Sequence, residues 1–79
     1  MQVYKAILSA GNNTEAWIVI IRKNYRRRGY TVKGIRIQDG FESDPQDIPS
    51  NEIFTAIKTW AESRPGNYTV LTYGEVKLT

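Results

Sequence analysis

The sequence of 79 residues predicts one α+β domain over 1–79, with the element order β-β-β-α-β. Three observations lead to this prediction. Three runs rich in β-branched and aromatic residues follow one another, with short turn sequences between them. One later segment repeats apolar residues at helical spacing, and a last β-rich run follows it. A chain of this length is expected to form a single domain around a small core.

The first two strands are predicted at 3–9 and 16–23. Gly11, Asn12 and Asn13 mark the turn between them, because Gly and Asn accept positive φ at low cost. Both strands carry apolar residues on both faces, a pattern typical of a sheet covered on both sides. The two strands are therefore expected to lie in the middle of the sheet.

The third strand is predicted at 30–39. Apolar residues alternate with polar ones along this strand, but the alternation changes register at Gly34, between Val32 and Ile35. Such a change at a glycine predicts a β-bulge. Short loops connect the three strands, so we expect them to form an antiparallel meander.

Residues 40–49 are predicted as a loop, since Pro45 and Pro49 interrupt regular structure. A helix is expected to begin after a polar cap at Ser50 or Asn51 and to end before Pro65. Its apolar stripe consists of Ile53, Ile57, Trp60 and Ala61, with Phe54 alongside. Trp17 and Trp60 lie in apolar patterns and are both expected in the core.

The last strand is predicted at 68–73. A strand, a crossover helix and a following strand in one sheet favour a right-handed connection between parallel strands. We therefore place the last strand beside the first and parallel to it. The predicted sheet order is 3-2-1-4, with the helix packed on one face.

The absence of two residue types excludes several kinds of chemistry. The chain has no histidine and no cysteine, which removes Ser-His and Cys-His catalysis, His-ligated metals, disulfides and zinc knuckles. Its serines have no general base of the usual type near them in sequence. We therefore expect a protein that is not an enzyme, with no catalytic residue, cofactor, metal or small-molecule substrate.

A basic segment at 22–30 is the strongest local feature, with five cations, two tyrosines and no acid. Phosphate neutralisation draws such a segment to nucleic acid, and tyrosines can stack on bases. An acidic protein surface is an equally good partner, and a solvated hairpin tip that protects a sheet edge is the structural alternative. The candidate binding residues are Arg22, Lys23, Tyr25, Arg26, Arg27, Arg28 and Tyr30.

An acidic loop follows at 39–47, with four carboxylates. Its spacing does not match the calcium-binding loop, and Pro45 would stiffen it. We expect a solvated loop whose charge balances that of the basic segment.

The longest unbroken apolar run, 16–21, has six residues, whereas a membrane-spanning helix needs about 20. No secretory pattern is visible near residue 1. We expect a cytoplasmic protein that does not bind membranes.

Three short stretches in this element order resemble the first half of the ribonuclease H fold: VYKAILSAGN at 3–12, SNEIFTAI at 50–57 and VLTYG at 70–74. That family cleaves the RNA strand of hybrids with metal ions held by carboxylates. The resemblance places its first-strand aspartate on Ala6, its helix glutamate on Glu52 and its fourth-strand aspartate on Gly74. One carboxylate cannot hold two metal ions, so the resemblance implies the fold and argues against the activity.

Small HicB-type antitoxins carry a similar truncated, inactive version of this fold, and some small phage inhibitors, including anti-CRISPR proteins, share the element order. By this resemblance we expect a non-enzymatic module that binds and inhibits or regulates a nucleic-acid-handling protein complex through the basic segment. The alternatives are a direct nucleic-acid-binding module and a HicB-like antitoxin.

The first two strands also predict a partner. One helix covers one face of a sheet, yet these strands are apolar on both faces. A large exposed apolar patch is unusual on a monomer. We therefore expect a homodimer or an obligate partner that covers the second sheet face.

Overall fold

The computed structural model describes residues 1–77, which contain five strands and one helix. The strands are β1 (Gln2–Ala10), β2 (Asn13–Lys23), β3 (Tyr30–Arg36), β4 (Gln46–Ile48) and β5 (Thr69–Glu75), and the helix is α1 (Ile53–Ser63). They form one sheet of order β4-β3-β2-β1-β5 in which every neighbouring pair is antiparallel. Among these residues no helix is long and apolar enough to cross a bilayer.

The predicted sheet, of order 3-2-1-4 with its last strand parallel to the first, is wrong. Residues 46–48, predicted as loop, form β4 and pair antiparallel with β3 through Tyr30 and Ile48. This extra strand reverses the direction in which the chain enters the helix. As a result β5 runs parallel to β4, at the opposite edge of the sheet, and antiparallel to β1, where Thr72 lies opposite Ile7.

The two prolines do not prevent β4. Pro45 and Pro49 lie immediately outside its three residues, so no proline is required to donate a ladder hydrogen bond there. Thr31 of β3 also donates a side-chain hydrogen bond to the Asp47 carboxylate of β4 at 2.8 Å. The open edge of β3 thus orders a segment whose own residues favour a loop.

The bulge predicted at Gly34 is also absent. The pairing of β2 with β3 runs through Val19 and Gly34 without a register shift. The alternation of apolar residues changes because Ile35 lies on the outer face of the sheet. Gly34 lies on the inner face, beneath the Trp60 ring. A register shift occurs instead between β1 and β5, at Ile7 and Leu8.

The core lies between the inner face of the sheet and α1. Trp17 and Trp60 are fully buried, and their rings meet edge to face with centroids 5.5 Å apart. Both were predicted in the core, and the structure confirms it. The rest of the core comes from alternate residues of the sheet and one side of the helix: Tyr4, Ala6, Leu8, Val19, Ile21, Val32, Ile48, Ala56, Ile57 and Ala61.

Two arginines close one end of this core. The Arg64 guanidinium carbon lies 5.0 Å from the Trp17 ring centroid, and that of Arg36 lies 5.1 Å from the Phe41 ring centroid. Asp39 accepts two hydrogen bonds from the Arg36 guanidinium, and these bonds lower the pKa of the Asp39 carboxyl below its usual value. This end of the domain is therefore held by aromatic and charged contacts together.

The outer face of the sheet is apolar, and no helix within residues 1–77 packs on it. Its central residues Val3, Ile7, Ile18, Ile20 and Ile35 are half-buried, shielded by their neighbours in the sheet. The single helix of the described residues packs on the inner face. The prediction that β1 and β2 are apolar on both faces is therefore confirmed, while the partner expected on the second face stays a prediction.

Candidate nucleic-acid interface

The basic hairpin (residues 22–30) consists of the loop between β2 and β3 and the two strand ends that carry it. Asn24 organises its backbone. The Asn24 side-chain oxygen accepts hydrogen bonds from the backbone N–H groups of Arg26 and Arg27 at 3.1 and 3.2 Å. The Asn24 N–H donates to the Gly29 carbonyl at 3.0 Å and closes the loop. Within residues 1–77, the hydrogen bonds that order this loop use none of its cationic side chains.

Gly29 allows the loop to pack closely against β4. Its φ is +120°, which favours glycine. A Cβ atom at this position would overlap the Ile48 carbonyl oxygen and lie 2.9 Å from the Pro49 Cα. The hairpin therefore rests on the backbone of β4, the strand that sequence reasoning missed.

The seven predicted residues fall into two neighbouring groups. A shallow cleft of about 620 Å³ is lined by Arg22, Lys23, Tyr25 and Arg26, together with Asn24, Thr31, Pro45 and Asp47. Arg27, Arg28 and Tyr30 line a second cleft with Asn24, Asp47, Ile48 and Pro49. The structure thus brings all seven to one end of the sheet, around a single hairpin tip.

The five hairpin cations share their two clefts with one acidic residue of the described chain, Asp47. Arg22, Lys23 and the three loop arginines are exposed, and none of the salt bridges within residues 1–77 includes them. The acidic loop pairs with β3 instead, through Lys33–Glu42 at 2.7 Å and Arg36–Asp39 at 2.9 Å. Of the four acids in the loop, Asp47 lines both clefts of the hairpin, whereas Asp39 and Glu42 lie beside β3 because of the sheet register. The loop therefore offsets only part of the hairpin charge.

The two tyrosines of the hairpin differ in what they can do. The Tyr25 side chain is 90% exposed and lies among the arginines of the tip. Tyr30 is half-buried against the core, and the Lys23 ammonium lies 5.9 Å from its ring centroid. Tyr25 can therefore stack on a planar partner, whereas Tyr30 supports the base of the hairpin.

Asn24 and Asp47 belong to this site although sequence reasoning did not select them. Asn24 could have been found, because an Asn followed by N–H groups two and three residues later is the pattern of a side-chain-capped turn. Asp47 could not, since it lies 16 residues from Thr31, to which it is hydrogen-bonded, and reaches the hairpin only through the β3–β4 pairing.

The positions matched to ribonuclease H carboxylates lie on the other side of the sheet. Ala6 is fully buried in β1, and Gly74 lies opposite Lys5 on β5. Glu52 precedes α1 and accepts a hydrogen bond from the Thr55 hydroxyl at 3.3 Å. Within the described part of the chain, no three Asp or Glu side chains come close enough together to hold a metal ion.

Comparison of the chain with protein-family models, with curated proteins and with solved structures gives no match in any of the three. The resemblance to the ribonuclease H fold therefore stays a prediction. The parallel pairing of first and last strands that it implies is not found in residues 1–77, where β5 is antiparallel to β1.

Proposed function

We propose that this chain is a non-enzymatic binding module whose basic hairpin binds nucleic acid. The observation that supports it is the hairpin tip itself, where five cations are exposed and form no salt bridge within residues 1–77. Arg22, Lys23 and Arg26 line one cleft together with the exposed ring of Tyr25. Cations contact phosphates, and a tyrosine ring stacks on a base of any sequence. The expected ligand is therefore a nucleic-acid strand bound mainly through its backbone.

The composition of the tip favours nucleic acid over a protein surface. Arginine and tyrosine are common at protein interfaces too, but the core of such an interface is on the whole depleted of charge and more apolar than its rim. The hairpin tip offers one aromatic ring, Tyr25, among its cations, and the first cleft is lined largely by charged and polar groups. Such a surface suits a ligand that carries a regular row of negative charges.

The test is a salt titration of binding. Fluorescence anisotropy with labelled single-stranded and duplex oligonucleotides should give a log association constant that falls linearly with log salt concentration. If all five cations contact phosphates, the slope is about −3.5 for single strands and about −4.5 for a duplex. Tyr25→Ala should weaken binding to single strands more than binding to the duplex, whose bases are already stacked. Absence of binding at low salt would overturn the proposal.

A second candidate is the binding and inhibition of a nucleic-acid-handling protein complex through the same hairpin. The observation in its favour is the apolar outer face, where Ile18 and Ile20 are half-buried and no helix of the described residues covers them. A protein partner could cover this face, whereas a nucleic-acid strand would not. Binding of a protein complex without binding to free oligonucleotides would select this candidate.

The proposal includes the absence of nuclease activity. Ala6 and Gly74 occupy two of the positions at which the resembling family holds metal-binding aspartates, and neither can ligate a cation through its side chain. An RNA–DNA hybrid incubated with the protein and magnesium or manganese should remain intact on a denaturing gel. Metal-dependent cleavage that copurifies with the protein and is lost in Glu52→Gln would contradict this prediction.

A further inference from the structure

The two edges of the sheet differ in how they resist pairing with another strand. β4 has three residues and is bordered by Pro45 and Pro49, a common way to protect an edge. β5 has seven residues, almost all exposed, with no proline and no lysine. Glu75, at its end, is its one charged residue. The register shift at Ile7 and Leu8 leaves Leu71 without a partner in β1. From Thr72 to Glu75 the pairing is regular, so this half of the β5 edge carries few of the features that usually prevent pairing.

The backbone groups at this edge can be assigned from the pairing with β1. The Val76 N–H donates to the Val3 carbonyl at 2.8 Å. Hydrogen-bonded and non-hydrogen-bonded pairs alternate in an antiparallel ladder, so Gly74 and Thr72 also face β1. The N–H and C=O groups of Tyr73 and Glu75 consequently point away from the sheet, where a further strand would bind.

Apolar side chains accompany these backbone groups. Leu71 and Tyr73 of β5 are 55% and 41% exposed. The Tyr73 ring stacks on Phe54 of α1, itself 38% exposed, with centroids 5.0 Å apart and an interplanar angle of 15°. A strand added at this edge would gain apolar contact as well as main-chain hydrogen bonds.

We infer that β5 pairs antiparallel with β5 of a second copy of this chain, giving a two-fold symmetric dimer with one continuous sheet. The inference goes beyond the proposed function and does not depend on it. An antiparallel edge is self-complementary about a two-fold axis, since each copy offers the same surface to the other. This pairing uses the Tyr73 and Glu75 backbone groups of both copies.

The charges of the chain are compatible with this dimer. Antiparallel pairing places the two Glu75 carboxylates toward opposite ends of the β5–β5 junction rather than side by side. The basic hairpin follows the end of β2, and Ile21 near that end pairs with Gln2 at the start of β1. The two-fold axis therefore places the two hairpins at opposite ends of the combined sheet, so their like charges are well separated.

Sedimentation equilibrium from low to high micromolar concentration tests the inference. As the concentration rises, the average mass of the wild-type protein should increase from that of one chain to that of two. Glu75→Pro removes an N–H that points away from β1, so it should abolish the dimer while circular dichroism shows the fold retained. The matched control is Ile18→Lys on the outer face, which should leave the dimer intact. A single-chain mass throughout, or loss of the dimer in Ile18→Lys but not in Glu75→Pro, would overturn the inference.

Amide hydrogen exchange of the wild type gives a second readout that needs no variant. The Tyr73 and Glu75 amides should exchange at least about 10-fold more slowly at high than at low protein concentration, because only the dimer protects them. Exchange at Tyr73 and Glu75 that does not depend on concentration would overturn the inference.

Discussion

Replacing Arg26, Arg27 and Arg28 together by alanine is expected to weaken nucleic-acid binding by at least about 10-fold, which corresponds to about 1.4 kcal/mol. The slope of log affinity against log salt should become shallower by about 2 for single strands, since three phosphate contacts are lost. The stability of the domain should hardly change, because the loop backbone is held by Asn24 rather than by these side chains. Anisotropy titrations and thermal melts measure the two effects.

The matched control removes three other exposed cations, Lys5, Lys58 and Lys77. Both triple variants change the formal net charge of +3 by the same amount. A general effect of net charge would weaken binding equally in the two variants. If the hairpin is a specific site, the arginine variant should lose much more nucleic-acid affinity than the lysine variant. Equal losses of affinity would contradict the assignment of the site.

Gly34→Ala is expected to destabilise the domain by about 1–3 kcal/mol, the usual cost of overpacking a closely packed core. A Cβ atom at this position would lie 2.5 Å from Trp60 Cη2 and 2.8 Å from Trp17 Cε3. Both indoles are fully buried, so neither ring can move aside without disturbing the core. For a small domain each kcal/mol lowers the melting temperature by about 4–8 °C, which a calorimetric or circular dichroism melt detects.

Gly74→Ala is the control for this substitution. Apart from Gly74 itself and its two chain neighbours, no heavy atom of residues 1–77 lies within 4 Å of the Cβ position at Gly74, and its φ is not in the left-handed region. This variant should melt close to the wild type or slightly above it, because alanine restricts the unfolded chain. Replacing Trp60 by a smaller residue in the Gly34→Ala background should show a coupling energy between the two sites. Equal melting temperatures for the two glycine variants would contradict the packing argument.

Local patterns were sufficient for most elements. The strands at the start of the chain, the helix and the last strand form where periodicity and turn residues predict them, because each depends on residues a few positions apart. The burial of Trp17 and Trp60 and the placement of the cations on one hairpin follow from the same local patterns. The candidate site could thus be selected before its surroundings were known.

The predictions that were wrong concern contacts between segments that are distant in sequence. β4 forms because β3 offers an open edge, although its own sequence, with two flanking prolines, favours a loop. That one additional strand reverses the chain direction, so β5 pairs antiparallel with β1. The glycine at 34 reflects a ring packed against it from the helix, not a bulge.

The sequence by itself determined the α+β class, the position of the helix, the two-faced apolar character of β1 and β2 and the clustering of cations between residues 22 and 30. Spacing along the chain is enough to establish these features. Only the tertiary structure decided the sheet order, the open β5 edge and the pairing of the acidic loop with Lys33 and Arg36. None of the salt bridges among residues 1–77 includes a hairpin cation. The physical reason is that hydrogen-bond ladders and ion pairs between distant segments depend on chain direction and strand register, which no local pattern specifies.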